Sequence, residues 1–150
     1  MSIAVRNLSK NYGNVEAVRD ISFDVHTGEI LGFLGPNGAG KTTTMKILTC
    51  FMPPTEGFVD IDGFDIFKDS IKVRKKIGYL PENNPLYPDM NVLEFLRFSA
   101  KLQGLEGDYL KQRMREMIDV CGLTEVRHKD IGELSKGYRQ RVGLAQALIN

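Results

Sequence analysis

Gly35-Pro36-Asn37-Gly38-Ala39-Gly40-Lys41-Thr42 lies between the apolar run Ile30-Leu31-Gly32-Phe33-Leu34 and an amphipathic segment from Lys41 to about Cys50, and its reading decides the fold. The run before it has the length and composition of a strand. Met45, Ile47 and Leu48 after it can face a core from a helix. The order is therefore strand, glycine-rich loop, helix. Glycines reach backbone angles closed to other residues and keep side chains out of the way, so successive N–H groups can converge on an anion. The helix that starts near Gly40 adds the positive end of its dipole.

These eight residues fit G-x-x-x-x-G-K-[ST], the Walker A pattern. Lys41 supplies a mobile full charge to β and γ phosphates, and the Thr42 hydroxyl is placed to ligate Mg²⁺. The candidate ATP ligands are Gly35, Pro36, Asn37, Gly38, Ala39, Gly40, Lys41, Thr42 and Thr43. Nucleotide binding follows, but the motif alone does not separate kinases, GTPases, helicases and transporters.

Upstream, residues 3–8 and 18–25 read as strands, with turns at 11–14 and 26–29. Downstream, Pro53 and Pro54 stop the helix, and residues 57–61 form a short strand closing at Asp62-Gly63. A short helix over 69–75 then leads to a strand at 77–80. Pro81, Pro85 and Pro88 force a surface loop and mark a boundary, giving regions 1–82 and 83–150. Beyond it the pattern is helical. Leu93, Leu96 and Ala100 share one face, with Phe95, Phe98 and Leu102 on an adjoining one. Leu110, Met114, Met117, Ile118 and Cys121 repeat at helical spacing up to Gly122, and Tyr138, Val142, Ala145 and Ile149 do so in the last segment. These stripes are packing surfaces, and the basic clusters at 72–76 and 111–115 are solvated helix faces.

Composition narrows the classes further. A chain of 150 residues with 42% hydrophobic content supports one domain with a real core. Its 20 basic and 19 acidic side chains give a formal charge of +1, unlike proteins that displace counterions from nucleic acid. No nucleic-acid partner is expected. Cys50 and Cys121 lie far apart with no metal-ligand spacing, as in a reduced cytosolic protein. His26 and His128 read as turn or surface residues. No secretory leader opens the chain, and no apolar run reaches the roughly 18 residues of a membrane span. A membrane link would come through another polypeptide or a segment outside this sequence.

The segment Glu133-Leu134-Ser135-Lys136-Gly137-Tyr138-Arg139-Gln140-Arg141-Val142-Gly143-Leu144-Ala145-Gln146-Ala147-Leu148 selects among the nucleotide-binding classes. Ser135 is a good N-cap, so a second helix start is ready to receive an anion. The segment resembles the L-S-G-G-Q signature, followed by R-x-x-x-A-x-A-L, of ATP-binding cassette proteins. Ser135 and Gly137 keep the residues that meet phosphate, while Lys136 stands in place of glycine and Tyr138 in place of glutamine. Two further matches support the family. Tyr12 sits where members place an aromatic ring on adenine, and Tyr79-Leu80-Pro81-Glu82 is similar to the Q-loop with Glu82 in place of glutamine.

The resemblance implies an α/β P-loop NTPase with a RecA-like core, an antiparallel β subdomain and an inserted helical subdomain, cut short at its C-terminal side. The first region would hold the nucleotide-binding core and β subdomain, the second the Q-loop and helical subdomain. It assigns catalytic roles to Lys41, Glu82, Ser135 and Gly137, ATP and Mg²⁺ as cofactors, and Thr42 with Glu82 as metal ligands. It further implies two cassettes closing head to tail on ATP, and a membrane-spanning partner that docks in a groove formed by residues 82–90 and the following helices. The ATPase would work on the cytoplasmic face of the membrane. Glu82, the sequence Asn83-Asn84-Pro85-Leu86-Tyr87 and the Leu-Ser-Lys-Gly-Tyr motif are most similar to ABC-2 type exporters. The Walker B aspartate, the water-activating glutamate and the switch histidine have no match in the chain, so ATP turnover by these residues alone is not expected. Rival readings are a soluble ATPase of translation or DNA repair, and a module that senses ATP without hydrolysing it.

Overall fold

Alternating apolar and polar side chains along Ile3–Tyr12 (β1) and Val15–Val25 (β2) fold into an antiparallel hairpin in the computed structural model, which describes residues 1–149. Tyr12 pairs with Val15, so only Gly13 and Asn14 make the turn. Both strands are longer than the sequence suggests. The extra length survives polar residues because the register shifts beyond Val5, with Asn7 and Asp20 in the left-handed region that their side chains tolerate. Asn7 Nδ2 donates to Asp20 Oδ1 at 2.8 Å across this irregularity.

Glu56–Ile61 (β3) joins the other edge of β1, and Phe64–Asp65 (β4) follows through the Asp62-Gly63 turn, giving the antiparallel order β2-β1-β3-β4. Helices α1 (Lys41–Leu48) and α2 (Ser70–Arg74) complete this part. Its interior holds Val5, Leu8, Val18, Ile47, Val59, Ile61 and Val73. Each such burial stabilises by roughly 1.5–3 kcal/mol relative to exposure. Helix α1 stops two residues early: Cys50 turns left-handed, and the N–H groups of Cys50 and Phe51 return to the carbonyls of Ile47 and Lys46.

Two expected strands do not form ladders. Residues 30–34 and 77–80 have no strand partner among the described residues, and Ile30 and Leu34 are 96% and 93% exposed. In the first run Phe33 lies edge-on to Phe23, with ring centroids 5.4 Å apart. Runs of this composition suit a parallel sheet covered on both faces, and pairing there needs neighbours on each side.

The chain divides into two compact units, Met1–Lys76 and Ile77–Asn150, so the proline loop falls within the second. That unit is helical: α3 (Val92–Leu102), α4 (Gly107–Val120) and α5 (Lys136–Leu148), with short 3₁₀ turns between α4 and α5. The predicted stripes meet in one core, including Phe95, Leu96, Met114, Ile118, Val142 and Ala145. Asn91 and Glu94 form a reciprocal capping box on α3. Gly122 ends α4 as the spacing predicts, its own N–H and that of Leu123 closing on Asp119 and Ile118. Among the described residues no helix is long and apolar enough to cross a membrane.

Candidate functional site

The phosphate loop is held from below by β2. Gly40, the N-cap of α1, has φ 82°, and a Cβ there would overlap the carbonyl oxygen of Ala17. Only glycine meets both demands. Within the loop the Ala39 N–H bonds the Pro36 carbonyl at 3.2 Å, and Thr44 is the first residue to bond back into the helix, to Gly40 O at 2.8 Å. The amides of Gly40, Lys41, Thr42 and Thr43 thus lie ahead of the first intrahelical bond, at the positive end of the dipole. No side chain caps this helix start and no acidic residue occupies its first turn.

Lys41 completes the cradle. Its Nζ donates to the carbonyls of Gly35 (2.6 Å) and Pro36 (2.7 Å), which places a full positive charge over the loop. Space beside Gly38 is open, since a Cβ there meets nothing within 4 Å. Free amides, a mobile ammonium and bare backbone suit a polyphosphate. Thr42 is exposed, and among the described residues its hydroxyl has no hydrogen-bond partner, which suits an oxygen-seeking Mg²⁺. Thr44, not singled out from the sequence, is buried and bonds its hydroxyl to Gly40 O at 3.0 Å, fixing the helix start from inside.

Tyr12 belongs to the same neighbourhood by register. It pairs with Val15, while Gly40 abuts Ala17 and Val18, so the aromatic ring and the loop are both tied to the stretch 15–18 of β2. The ring is half exposed, its hydroxyl bonds Met52 Sδ at 3.0 Å, and Lys10 Nζ lies 5.5 Å from its centroid. Nearby, a cavity of about 390 Å³ is lined by Glu16, Arg19, Gly38 and Ala39. The Arg19 guanidinium, donating at 2.6 Å, holds the Glu16 carboxyl below the usual carboxylate range.

A second helix start lies in the other unit. Ser135 caps α5, accepting from Tyr138 N at 3.4 Å, and Lys136 and Gly137 are exposed in the first turn. Tyr138, where the signature has glutamine, lies half-buried with the Arg141 guanidinium 5.3 Å from its ring centroid. A Cβ on Gly137 would find only Ser135 Oγ, at 4.0 Å.

Glu82 is exposed in the loop that precedes α3, and its carbonyl accepts from Gln140 Nε2 of α5 at 3.2 Å. Glu82, Asn84, Lys136, Arg139 and Gln140 line one cavity of about 510 Å³. The two departures of opposite charge, Glu82 and Lys136, therefore share a cavity. Asn84, Gln140 and Gly143 escaped the sequence reading. A Cβ on Gly143 would collide with the Asn84 amide and with Leu80, so this glycine lets the loop lie on α5. Only its proximity to the signature hinted at the role. Thr42 lies in the first unit and Glu82 in the second. Among the described residues no cluster of three histidine, cysteine or acidic side chains could hold a metal.

Comparison with known proteins completes the picture. The family described as ABC transporter matches residues 18–150. The chain belongs to that family. It is 40% identical over 148 residues to the uncharacterized ABC transporter ATP-binding protein YxlF of Bacillus subtilis, covering 99% of this chain and 48% of that protein. It is 36% identical to the linearmycin resistance ATP-binding protein LnrL of the same organism, again covering 99% and 48%. The chain thus spans about half the length of these ABC relatives. Among solved structures, CbiO1 of Clostridium perfringens, part of the ABC transporter complex cbiONQ, superimposes with a TM-score of 0.86 at 27% identity, covering 98% of this chain and 61% of that one. The P-loop NTPase fold expected from the sequence is that of the ABC ATP-binding subunits.

Proposed function

We propose that this chain is part of an ATP-binding subunit that powers a membrane exporter of the ABC-2 type. One observation carries the reading: four helix-start amides and the Lys41 ammonium gather over a glycine-rich loop with no side chain in the way. Gly35 to Thr43 hold the phosphates, Thr42 and Glu82 ligate Mg²⁺, and Tyr12 stacks on adenine. Bound Mg²⁺ neutralises phosphate charge. The γ-phosphate is shared between Lys41 of one copy and the Ser135 helix start of a second, so two cassettes close head to tail.

Exporter function draws support from LnrL, whose name ties it to linearmycin resistance, and a membrane-spanning partner from CbiO1, which belongs to a transporter complex. That partner docks on the second unit and holds the subunit at the cytoplasmic face of the membrane. No residue here matches the water-activating glutamate, so these 150 residues bind ATP without turning it over. Titration with a fluorescent ATP analogue and Mg²⁺ tests both statements. The reading predicts saturable binding lost in Lys41→Ala, with no phosphate release. Failure to bind removes the nucleotide reading, and phosphate release abolished by Lys41→Ala removes the claim of inactivity.

A further inference from the structure

Tyr12, the ring assigned to the base, is held by the segment that follows the phosphate helix. Its hydroxyl donates to Met52 Sδ at 3.0 Å. Met52 in turn hangs on the last turn of α1, its N–H and that of Phe51 both returning to the Lys46 carbonyl. Three further bonds fasten the same segment to the end of β1. Lys10 Nζ donates to Pro53 O at 2.8 Å, the Asn11 N–H to Thr55 Oγ1 at 2.9 Å, and the Thr55 N–H to Ser9 O at 2.8 Å. Residues 52–55 therefore strap the strand that carries the ring to the helix whose first amides face the phosphates. Within this strap the ring has few ways to turn. Tyr12 adjoins the two-residue turn of the hairpin, which fixes its backbone. The hydroxyl oxygen lies on the axis of ring rotation, so holding it fixes the direction in which the ring projects. A phenolic O–H lies in the ring plane, so an acceptor on one side also favours one plane. Lys10 Nζ, 5.5 Å from the centroid, takes one face. The ring is still 47% exposed, which leaves a face for a flat partner.

We propose that Met52 is a positioning residue for the nucleotide base: by accepting the Tyr12 hydroxyl bond, it sets the plane of the ring on which adenine stacks and its place relative to the phosphate loop. The inference rests on the stacking role of Tyr12 and adds the group that orients it. A thioether is a weak acceptor, but its unbranched chain adapts to the gap between helix and strand. Leucine fills a similar volume without accepting. Once the bond is lost, the half-exposed ring gains rotamers that stacking must then give up.

Calorimetric titrations of the 150-residue chain with ATP and with inorganic tripolyphosphate, both with Mg²⁺, separate the base from the phosphates. Met52→Leu should weaken ATP binding by about threefold to tenfold, the loss of one hydrogen bond, and leave tripolyphosphate binding unchanged. Met52→Gln, whose amide oxygen also accepts, should restore most of the ATP affinity. Tyr12→Phe keeps the ring and loses the donor, so it should match Met52→Leu, and the two changes together should lose no more than either alone. Unchanged ATP affinity in Met52→Leu overturns the inference, as does an equal loss for tripolyphosphate, additive losses in the double variant or a glutamine that fails to restore binding. Tyr12→Ala separates this inference from the reading beneath it. Weaker ATP binding there, with none lost in Met52→Leu, leaves the stacking role standing and removes the part played by Met52, whereas full affinity in Tyr12→Ala removes both.

Discussion

The starts of α1 and α5 both leave helix-start amides exposed, and they do so by different means. At α1 the backbone does the work: a left-handed glycine serves as N-cap, no side chain competes, and a lysine ammonium hovers over the loop. At α5 a serine hydroxyl engages one of the amides, and the first turn carries an exposed lysine and glycine. The first gathers its amides and its ammonium within one unit. The second is an open face, suited to meeting a phosphate already held elsewhere.

That contrast can be broken most sharply through nucleotide affinity. Lys41→Ala should weaken ATP binding by about 100-fold, because a charge-assisted donor to the phosphates is lost, whereas Ser135→Ala should change it less than about twofold. Comparable losses in both variants, measured by calorimetric titration, would erase the distinction. The next largest effect concerns the glycines. Gly40→Ala forces a side chain into left-handed backbone and onto the Ala17 carbonyl, and should cost at least about 2 kcal/mol in urea unfolding. Gly137→Ala, with open space around it inside a helix, should be neutral or more stable by up to about 1 kcal/mol. Opposite signs are the expected result, and a matching loss at Gly137 would count against an open second cradle.

The smallest effect separates capping from anion binding at α5. Ser135→Ala should lower unfolding stability by about 1 kcal/mol, and Ser135→Asn should restore it, since either polar side chain accepts from the helix start. No change on removing the hydroxyl would mean that the Tyr138 bond at 3.4 Å does not support the helix.

Much of this arrangement could be read from the residues because its causes are local. Glycine spacing, a lysine and a threonine specify the loop, Ser135 specifies its cap, and Gly122 ends α4, each through backbone geometry within a few positions. Long-range features were harder. The ladders expected at 30–34 and 77–80 depend on neighbouring strands, and no local pattern supplies them. Gly143 is a helix glycine whose packing against Asn84 and Leu80 no local pattern reveals. One groove of the second unit was equally hidden, since its lining residues Arg97 and Lys101 join Lys111 and Arg115 only once α3 and α4 pack together.

The most direct test follows backbone amide resonances of the isotopically labelled chain during titration with a nonhydrolysable ATP analogue and Mg²⁺, at several protein concentrations. The account predicts shifts at Gly38 to Thr43 at every concentration, and shifts at Ser135 to Tyr138 that grow as the chain is made more concentrated, because a second copy must bring that helix to the phosphate. Shifts at Ser135 to Tyr138 that are independent of concentration, or an unperturbed glycine loop at saturating nucleotide, would contradict it.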